Sequence, residues 1–315
     1  MVAVSDPNEI PPSLFTPVCH PLVTQVSVSV NGWFLENWDF PDEAARIKFV
    51  KTGFSRVTCL YFPKSRDDRI GHACKLLSIL FLIDDRLEHL SLSDGAAYNE
   101  RLMPLCKGDA QPNQNSPVEW MMYQIWEEMR QCNRELANGV LEPVFTFMRA
   151  QTSPERLHIK DLGLYLQYRQ NDVGQILLAA LMRYCMDLYI SADELESVKG
   201  IELNVGRHIS IVNDIFSFEK ELATSKSAHK EGGALCSSVS VLAEEVGVTT
   251  NAAMRVLWSM CREWEKLHQD IVAKRIDDTG TCSISLKEYL KGLEYQMSGN
   301  ELWSRTTSRY GQAAE

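Results

Sequence analysis

From His20 onward, apolar residues recur at three- and four-residue spacing in segment after segment, and strict alternation is hard to find. A helix turns once in 3.6 residues, so this spacing gathers apolar side chains on one face that must be covered by another helix. No Asn-Gly pair sits between strand-like runs to close a hairpin. The periodic stretches are roughly 20–37, 42–52, 70–92, 116–149, 159–190, 193–224, 237–246, 250–274 and 286–302. Polar, Pro- or Gly-marked joints separate them, notably at 107–117, 224–233 and 277–281. No repeat, low-complexity tract or linker divides the chain, which predicts one all-α domain, a single large helical bundle with a shared centre. Residues 1–16 carry Pro7, Pro11 and Pro12 without periodicity and are expected to form a loose leader before a domain over 17–315.

The charge balance narrows the function. With 42 Asp and Glu against 32 Lys and Arg, the chain lacks the basic footprint of a nucleic-acid binder. An acidic protein that handles phosphates needs a local, metal-bridged site. Nine cysteines contain no Cys-x-x-Cys pair, which argues for reduced thiols in a cytoplasmic setting rather than a disulfide framework or structural zinc. The first residues show neither a basic nor an apolar signal region, and apolar runs such as 176–182 fall far short of the ~18 residues of a membrane span.

Two oxygen-rich patches sit next to strongly apolar sequence. Leu76-Leu-Ser-Ile-Leu-Phe-Leu-Ile-Asp-Asp-Arg-Leu-Glu88 ends a greasy helix with three acids. Asp84 and Glu88 lie about 40° apart on one helix face, with Phe81 one turn earlier and Asp85 about 100° round. Paired hard oxygens at the rim of a buried cavity suit Mg²⁺, which keeps positions for water and phosphate; a capped acid pair at a solvated helix end is the alternative. In Asn213-Asp-Ile-Phe-Ser-Phe-Glu-Lys-Glu221, Asn213, Ser217 and Glu221 recur at i, i+4 and i+8 as a polar stripe. Three oxygen donors on one face make a hard-metal site, or Asn213 and Ser217 merely satisfy buried neighbours while Lys220 and Glu221 are solvated. Together the two stripes suggest a metal clamp on a diphosphate.

A diphosphate also needs permanent positive charge. Arg169 has the fork geometry of a phosphate donor or that of a surface salt bridge. Gly174, inside the same helical stretch, either breaks the helix toward a ligand or allows close packing. Arg305, Arg309 and Tyr310 form either a polar lid or a frayed tail.

Asp84-Asp-Arg-Leu-Glu88 resembles the aspartate-rich motif of class I terpene cyclases, and Asn213 to Glu221 matches their (Asn/Asp)-Asp-x-x-(Ser/Thr)-x-x-x-Glu motif. Gly53-Phe-Ser-Arg-Val-Thr-Cys-Leu-Tyr-Phe-Pro, Leu141-Glu-Pro-Val-Phe-Thr-Phe-Met-Arg-Ala-Gln-Thr and Gly292-Leu-Glu-Tyr-Gln-Met-Ser-Gly-Asn-Glu-Leu-Trp narrow the resemblance to the fungal aristolochene synthases, from about Pro11 to Tyr310. The resemblance implies a class I terpenoid synthase bundle around a central active-site cavity. It implies a trinuclear Mg²⁺ cluster held by Asp84, Asn213, Ser217 and Glu221, with Arg169, Lys220, Arg309 and Tyr310 binding diphosphate. Tyr61, Phe81, Phe147 and Trp303 match cavity aromatics, whose faces stabilise cations, although an aromatic at helical spacing is also ordinary core. Asp85, Glu88 and Gln175 are expected behind the ligands.

The implied substrate is farnesyl diphosphate and the implied product aristolochene, formed through germacrene A with diphosphate released. Another product of the same family, prenyl chain elongation, and a non-catalytic terpenoid-binding relative are the alternatives. No membrane or nucleic-acid partner is expected, and a homo-oligomer is compatible with the fold. Three departures from the family pattern stand out: Arg86 inside the acidic motif, Gln170-Asn171 in place of a charged pair, and Gln175 in place of a lysine. The polar stretch from Thr224 to Gly233 is the expected lid.

Overall fold

A computed structural model describes residues 10–277 and 282–311. The described residues form fourteen α-helices and no strand: α1 (Val23–Asn37), α2 (Glu43–Thr52), α3 (Phe54–Tyr61), α4 (Ile70–Leu87), α5 (Leu92–Lys107), α6 (Pro117–Asn138), α7 (Leu141–Ala150), α8 (Leu162–Asp172), α9 (Gln175–Met186), α10 (Ala192–Ser197), α11 (Lys199–Ser227), α12 (Ser238–Val246), α13 (Thr250–Asp277) and α14 (Ile284–Thr306). Single 3₁₀ turns follow α7, at Pro154–Leu157, and α14, at Ser308–Tyr310. Many helices start where a short polar side chain replaces the missing intrahelical acceptor. Asp42 accepts from the Ala45 amide, Ser91 from Asp94, Asp161 from Leu164 and Ser283 from Leu286, while Ser191 and Glu194 form a reciprocal capping box.

The expected stretches over 116–149 and 159–190 each divide in two. Around Gly139 the chain passes from α6 to α7, and at Gly174, with φ +75°, it passes from α8 to α9. Two helices, α3 and α5, fall outside the expected stretches. Seven of the eight residues of α3 are buried, and at eight residues it is shorter than the window over which a helical period is read. The buried side of α5 includes Gly95 and Asn99, with Pro104 inside the helix, and Asn99 is held by its amide on the Met148 carbonyl.

The bundle is arranged around two long elements. Buried Leu76, Leu77, Leu80, Ile83 and Leu87 fix the rotation of α4, which packs on α3 and α6. On the other side α11 packs on α14, α13, α8 and α9. The cavity lies between these two.

The expected loose leader is corrected over residues 10–16, while residues 1–9 lie outside the described ones. Arg262 donates to the Pro11 carbonyl at 2.8 Å, and Glu265 accepts from the Ser13 hydroxyl at 2.9 Å and the Leu14 amide at 2.7 Å. Phe15 is buried edge-on against His268. The joint expected at 277–281 falls almost wholly outside the described residues.

Candidate active site

Three acids at the C-terminal end of α4 oppose the helix dipole, whose negative end repels them. The fold answers with cations from distant elements. Arg309 grips Asp85 with both arms, Nη2 to Oδ1 at 2.7 Å and Nη1 to Oδ2 at 3.1 Å, and Lys220 reaches Glu88 at 2.7 Å. Among the described residues Asp84 has no cation closer than Arg309 at 3.8 Å, and its Oδ1 accepts from the Gln151 amide at 2.8 Å. Burial, then the neighbouring Glu88, pushes the Asp84 carboxyl above the usual range. Its side chain is 43% accessible, but to the cavity it lines. Burial also works against a charge on Asp85, yet Arg309 outweighs it and holds that carboxyl low. The ligand atoms of Asp84, Asp85 and Glu88 all lie within 4.8 Å of one another.

The facing wall is α11. Ser217 donates to Glu221 Oε1 at 2.6 Å. Asn213 accepts from Arg169 at 2.9 Å and donates to the Tyr310 hydroxyl at 2.8 Å. Arg169 also pairs with Asp172 and, at 3.2 Å, with fully buried Asp214, which accepts in turn from the Tyr165 hydroxyl and the Ser238 amide. No Lys, Arg or His lies within ion-pair distance of Glu221 among the described residues. Burial, then the charge of Asp214, pushes its carboxyl up to about 7.

Between the walls lies a cavity that is partly open to solvent. Tyr61, Phe81, Phe147 and Trp303 line it. Phe81 stacks on Phe54 at 4.5 Å, and Trp303 lies edge-on to Tyr310 and donates its indole N–H to the Thr52 carbonyl. The Tyr61 hydroxyl donates to Asn300 at 2.9 Å, and burial raises its pKa well above that of a free phenol. A Cβ at Gly174 would come within 3.1 Å of the Phe147 ring, so this position both breaks the helix and admits an aromatic.

The expected lid over 224–233 is partly corrected, because residues 224–227 continue α11. The loop after it, 228–237, lies against the end of α4. The His229 amide donates to the Glu88 carbonyl, and a Cβ at Gly232 would sit 2.2 Å from the Leu87 carbonyl oxygen.

Asp84, Glu88, Asn213, Ser217, Lys220, Glu221, Arg169, Arg309, Tyr310 and the four aromatics are therefore brought to one cavity. Asp85 stands behind it on Arg309. Gln175 is buried beneath Gly206, outside the lining, with its amide nitrogen unpartnered. Arg305 belongs to no lid: it pairs with Glu301 and lies over Phe216 and Trp258. Arg86 is solvent-exposed with its guanidinium over the Tyr98 ring. Sequence reasoning assigned no role to Gln151, Asp172, Asp214, Asn300 or Arg156. Asp214 stood inside the second motif, one position after Asn213. Gln151 lies one turn beyond Phe147, the spacing that signals a shared face.

Comparison with known proteins places this geometry. Residues 75–266 match terpene synthase family 2, C-terminal metal binding. The chain is 58% identical to the aristolochene synthase of Aspergillus terreus over 302 residues, covering 96% of this chain and 94% of that one. It is 55% identical to the aristolochene synthase of Penicillium roqueforti, covering 95% and 88%. The crystal structure of aristolochene synthase from P. roqueforti superposes with a TM-score of 0.85 at 53% identity, covering 95% of this chain and all of that one. A hedycaryol synthase structure, 19% identical with a TM-score of 0.75, shares the fold. The chain belongs to the class I terpene synthases and, within them, to the aristolochene synthase family.

Proposed function

We propose that this chain converts farnesyl diphosphate to aristolochene through germacrene A, releasing diphosphate, as a Mg²⁺-dependent carbon–oxygen lyase. The observation that carries the reading is the pair of oxygen-rich walls facing each other across an aromatic cavity, in a chain 58% identical to an aristolochene synthase. The donor set fits a hard dication. Asp84 faces the cavity with an amide rather than a cation as its near partner, and Glu221 is a half-buried acid with no cation within ion-pair distance among the described residues. Asp84 on one wall and Asn213, Ser217 and Glu221 on the other would hold the ions, all through oxygen. When bound, Mg²⁺ neutralises the diphosphate and favours its departure as an anion.

The remaining work falls to the chain's own groups. Arg169, Lys220 and Arg309 donate to the diphosphate after exchanging their carboxylate partners, and the Tyr310 hydroxyl adds a neutral donor. Ionisation leaves an allylic cation, which the faces of Phe81, Phe147 and Trp303 stabilise while offering no lone pair to trap it. The Tyr61 phenol keeps its proton, since its anion is strongly disfavoured by burial, and this supports a hydrogen-bonding rather than proton-donating part. Nine cysteines, none in a disulfide, support a reducing cytoplasmic setting.

Gas chromatography–mass spectrometry of a farnesyl diphosphate incubation, with Mg²⁺ and with chelator, tests the reading. A single bicyclic hydrocarbon that disappears with chelator is expected. Germacrene A alone would overturn the late steps, and no hydrocarbon would overturn the cyclase.

A further inference from the structure

Arg156, Arg169, Lys220 and Arg309 all line the cavity. Three of them are held by acids: Arg169 by Asp172 and Asp214, Lys220 by Glu88 and Asp85, Arg309 by Asp85. Each must give up an ion pair before it can bind an anion.

Arg156 differs. It sits in the 3₁₀ turn Pro154–Leu157, and both of its hydrogen bonds end on backbone carbonyls: Nη1 on Gln151 at 3.1 Å and Nη2 on Ala234 at 3.4 Å. Its Nε is buried without a partner. No carboxylate lies within ion-pair distance of it among the described residues, and its acidic influences, Asp172 and Asp84, act from farther across the same cavity. A guanidinium cannot shed its proton to escape this position. Carbonyl dipoles do not neutralise a full charge, so a largely enclosed cation without a counter-ion is costly unless an anion arrives. Its contacts join Gln151, which holds Asp84, to the loop that covers the end of α4.

We propose that Arg156 is a further diphosphate-binding residue, meeting the anion before Arg169, Lys220 and Arg309 exchange their carboxylates for it. The assignment rests on the diphosphate reading of the cavity. The long Nη2 bond to Ala234 is the one given up first, which ties arrival of the anion to the 228–237 loop.

Calorimetric titration of the full chain with inorganic pyrophosphate, with and without Mg²⁺, tests the assignment on wild type, Arg156→Gln and Arg156→Lys. A lost charge-assisted contact to phosphate corresponds to about tenfold in affinity. Arg156→Gln is therefore expected to weaken pyrophosphate binding by about that factor in both conditions and to raise KM for farnesyl diphosphate similarly. Arg156→Lys, which keeps the charge but loses the fork, is expected to recover most of the affinity. Wild-type affinity in Arg156→Gln, or equal impairment of the Gln and Lys variants, would make Arg156 only a staple for the loop and overturn the proposal. Should the Gln variant not fold, the Lys variant decides: retained affinity supports the charge, and a tenfold loss refutes it. A wild-type chain that binds no pyrophosphate would instead overturn the diphosphate reading and this assignment with it.

Discussion

The two walls of the cavity carry similar oxygen ligands but opposite electrostatic preparation. At the end of α4, two of three acids are already matched to cations, Asp85 to Arg309 and Glu88 to Lys220. On the facing wall, Arg169 of α8 is spent on Asp172 and Asp214, and among the described residues Glu221 of α11 has a hydroxyl donor but no cation within ion-pair distance. The first wall keeps its acids charged by pairing them. The second stores an unfavourable charge that a cation from solution would relieve. On the proposed metal reading, a site built this way is complete only when a dication enters, which would couple the chemistry to occupancy of the second wall.

The sharpest way to break the comparison is Glu221→Gln, which removes the unpaired acid. Loss of turnover by ~10³-fold or more is expected, as for removal of a group that acts chiefly in the transition state, and near-normal rates in a product assay would refute its ligand role. The next effect separates neighbours on α4. Asp84→Asn should lower kcat by ~10²-fold, whereas Asp85→Asn, which frees Arg309 rather than a ligand position, should cost no more than ~10-fold. Equal losses would mean that both acids face the metal. A smaller effect is expected for Gln151→Leu, which unpins Asp84: the Mg²⁺ concentration for half-maximal rate should rise several-fold with a similar kcat at saturation.

The pH dependence of stability sharpens the contrast through its sign. Glu221 has a folded pKa of about 7 against 4.5 for the ordinary side chain, so the unfolded chain releases its proton first. Stability of the metal-free protein is therefore lost as pH rises from 4.5 through 7, by up to about 3 kcal/mol. Asp85, held low, contributes in the opposite sense: its stabilisation is present above pH 3.8 and lost as pH falls further. Denaturant midpoints across this range, for wild type and Glu221→Gln, should show the alkaline slope disappear in the variant. A slope that persists would locate the buried charge elsewhere.

Helical class and the two oxygen-rich stripes that meet at the cavity were legible in the sequence because both are periodic. An amphipathic face and an i, i+4, i+8 row of oxygen donors repeat on the same geometry. What escaped was whatever is too short or too irregular for a period to be read. The eight-residue α3 falls short of the window that reveals one, and α5 hides Gly95 and Asn99 on its inner side. Asp214 and Gln151 owe their positions to tertiary contacts with Arg169, Tyr165 and Asp84, which no local spacing encodes. Arg305 misled for the converse reason. Its nearness in sequence to Arg309 suggested a shared lid, but the helical rotation of α14 turns it onto Glu301 and the Trp258 ring.

The contact between Gly174 and Phe147 has a consequence for descent. A side chain at 174 would meet the ring, and the left-handed backbone there already disfavours one. Enlarging 174 presses on the ring and is eased by a smaller residue at 147, and such a double change would remove an aromatic face from the cavity. Backbone geometry at a helix joint and the company kept by a carbocation are thus a single inherited trait, and chains that part with one should be found making different hydrocarbons.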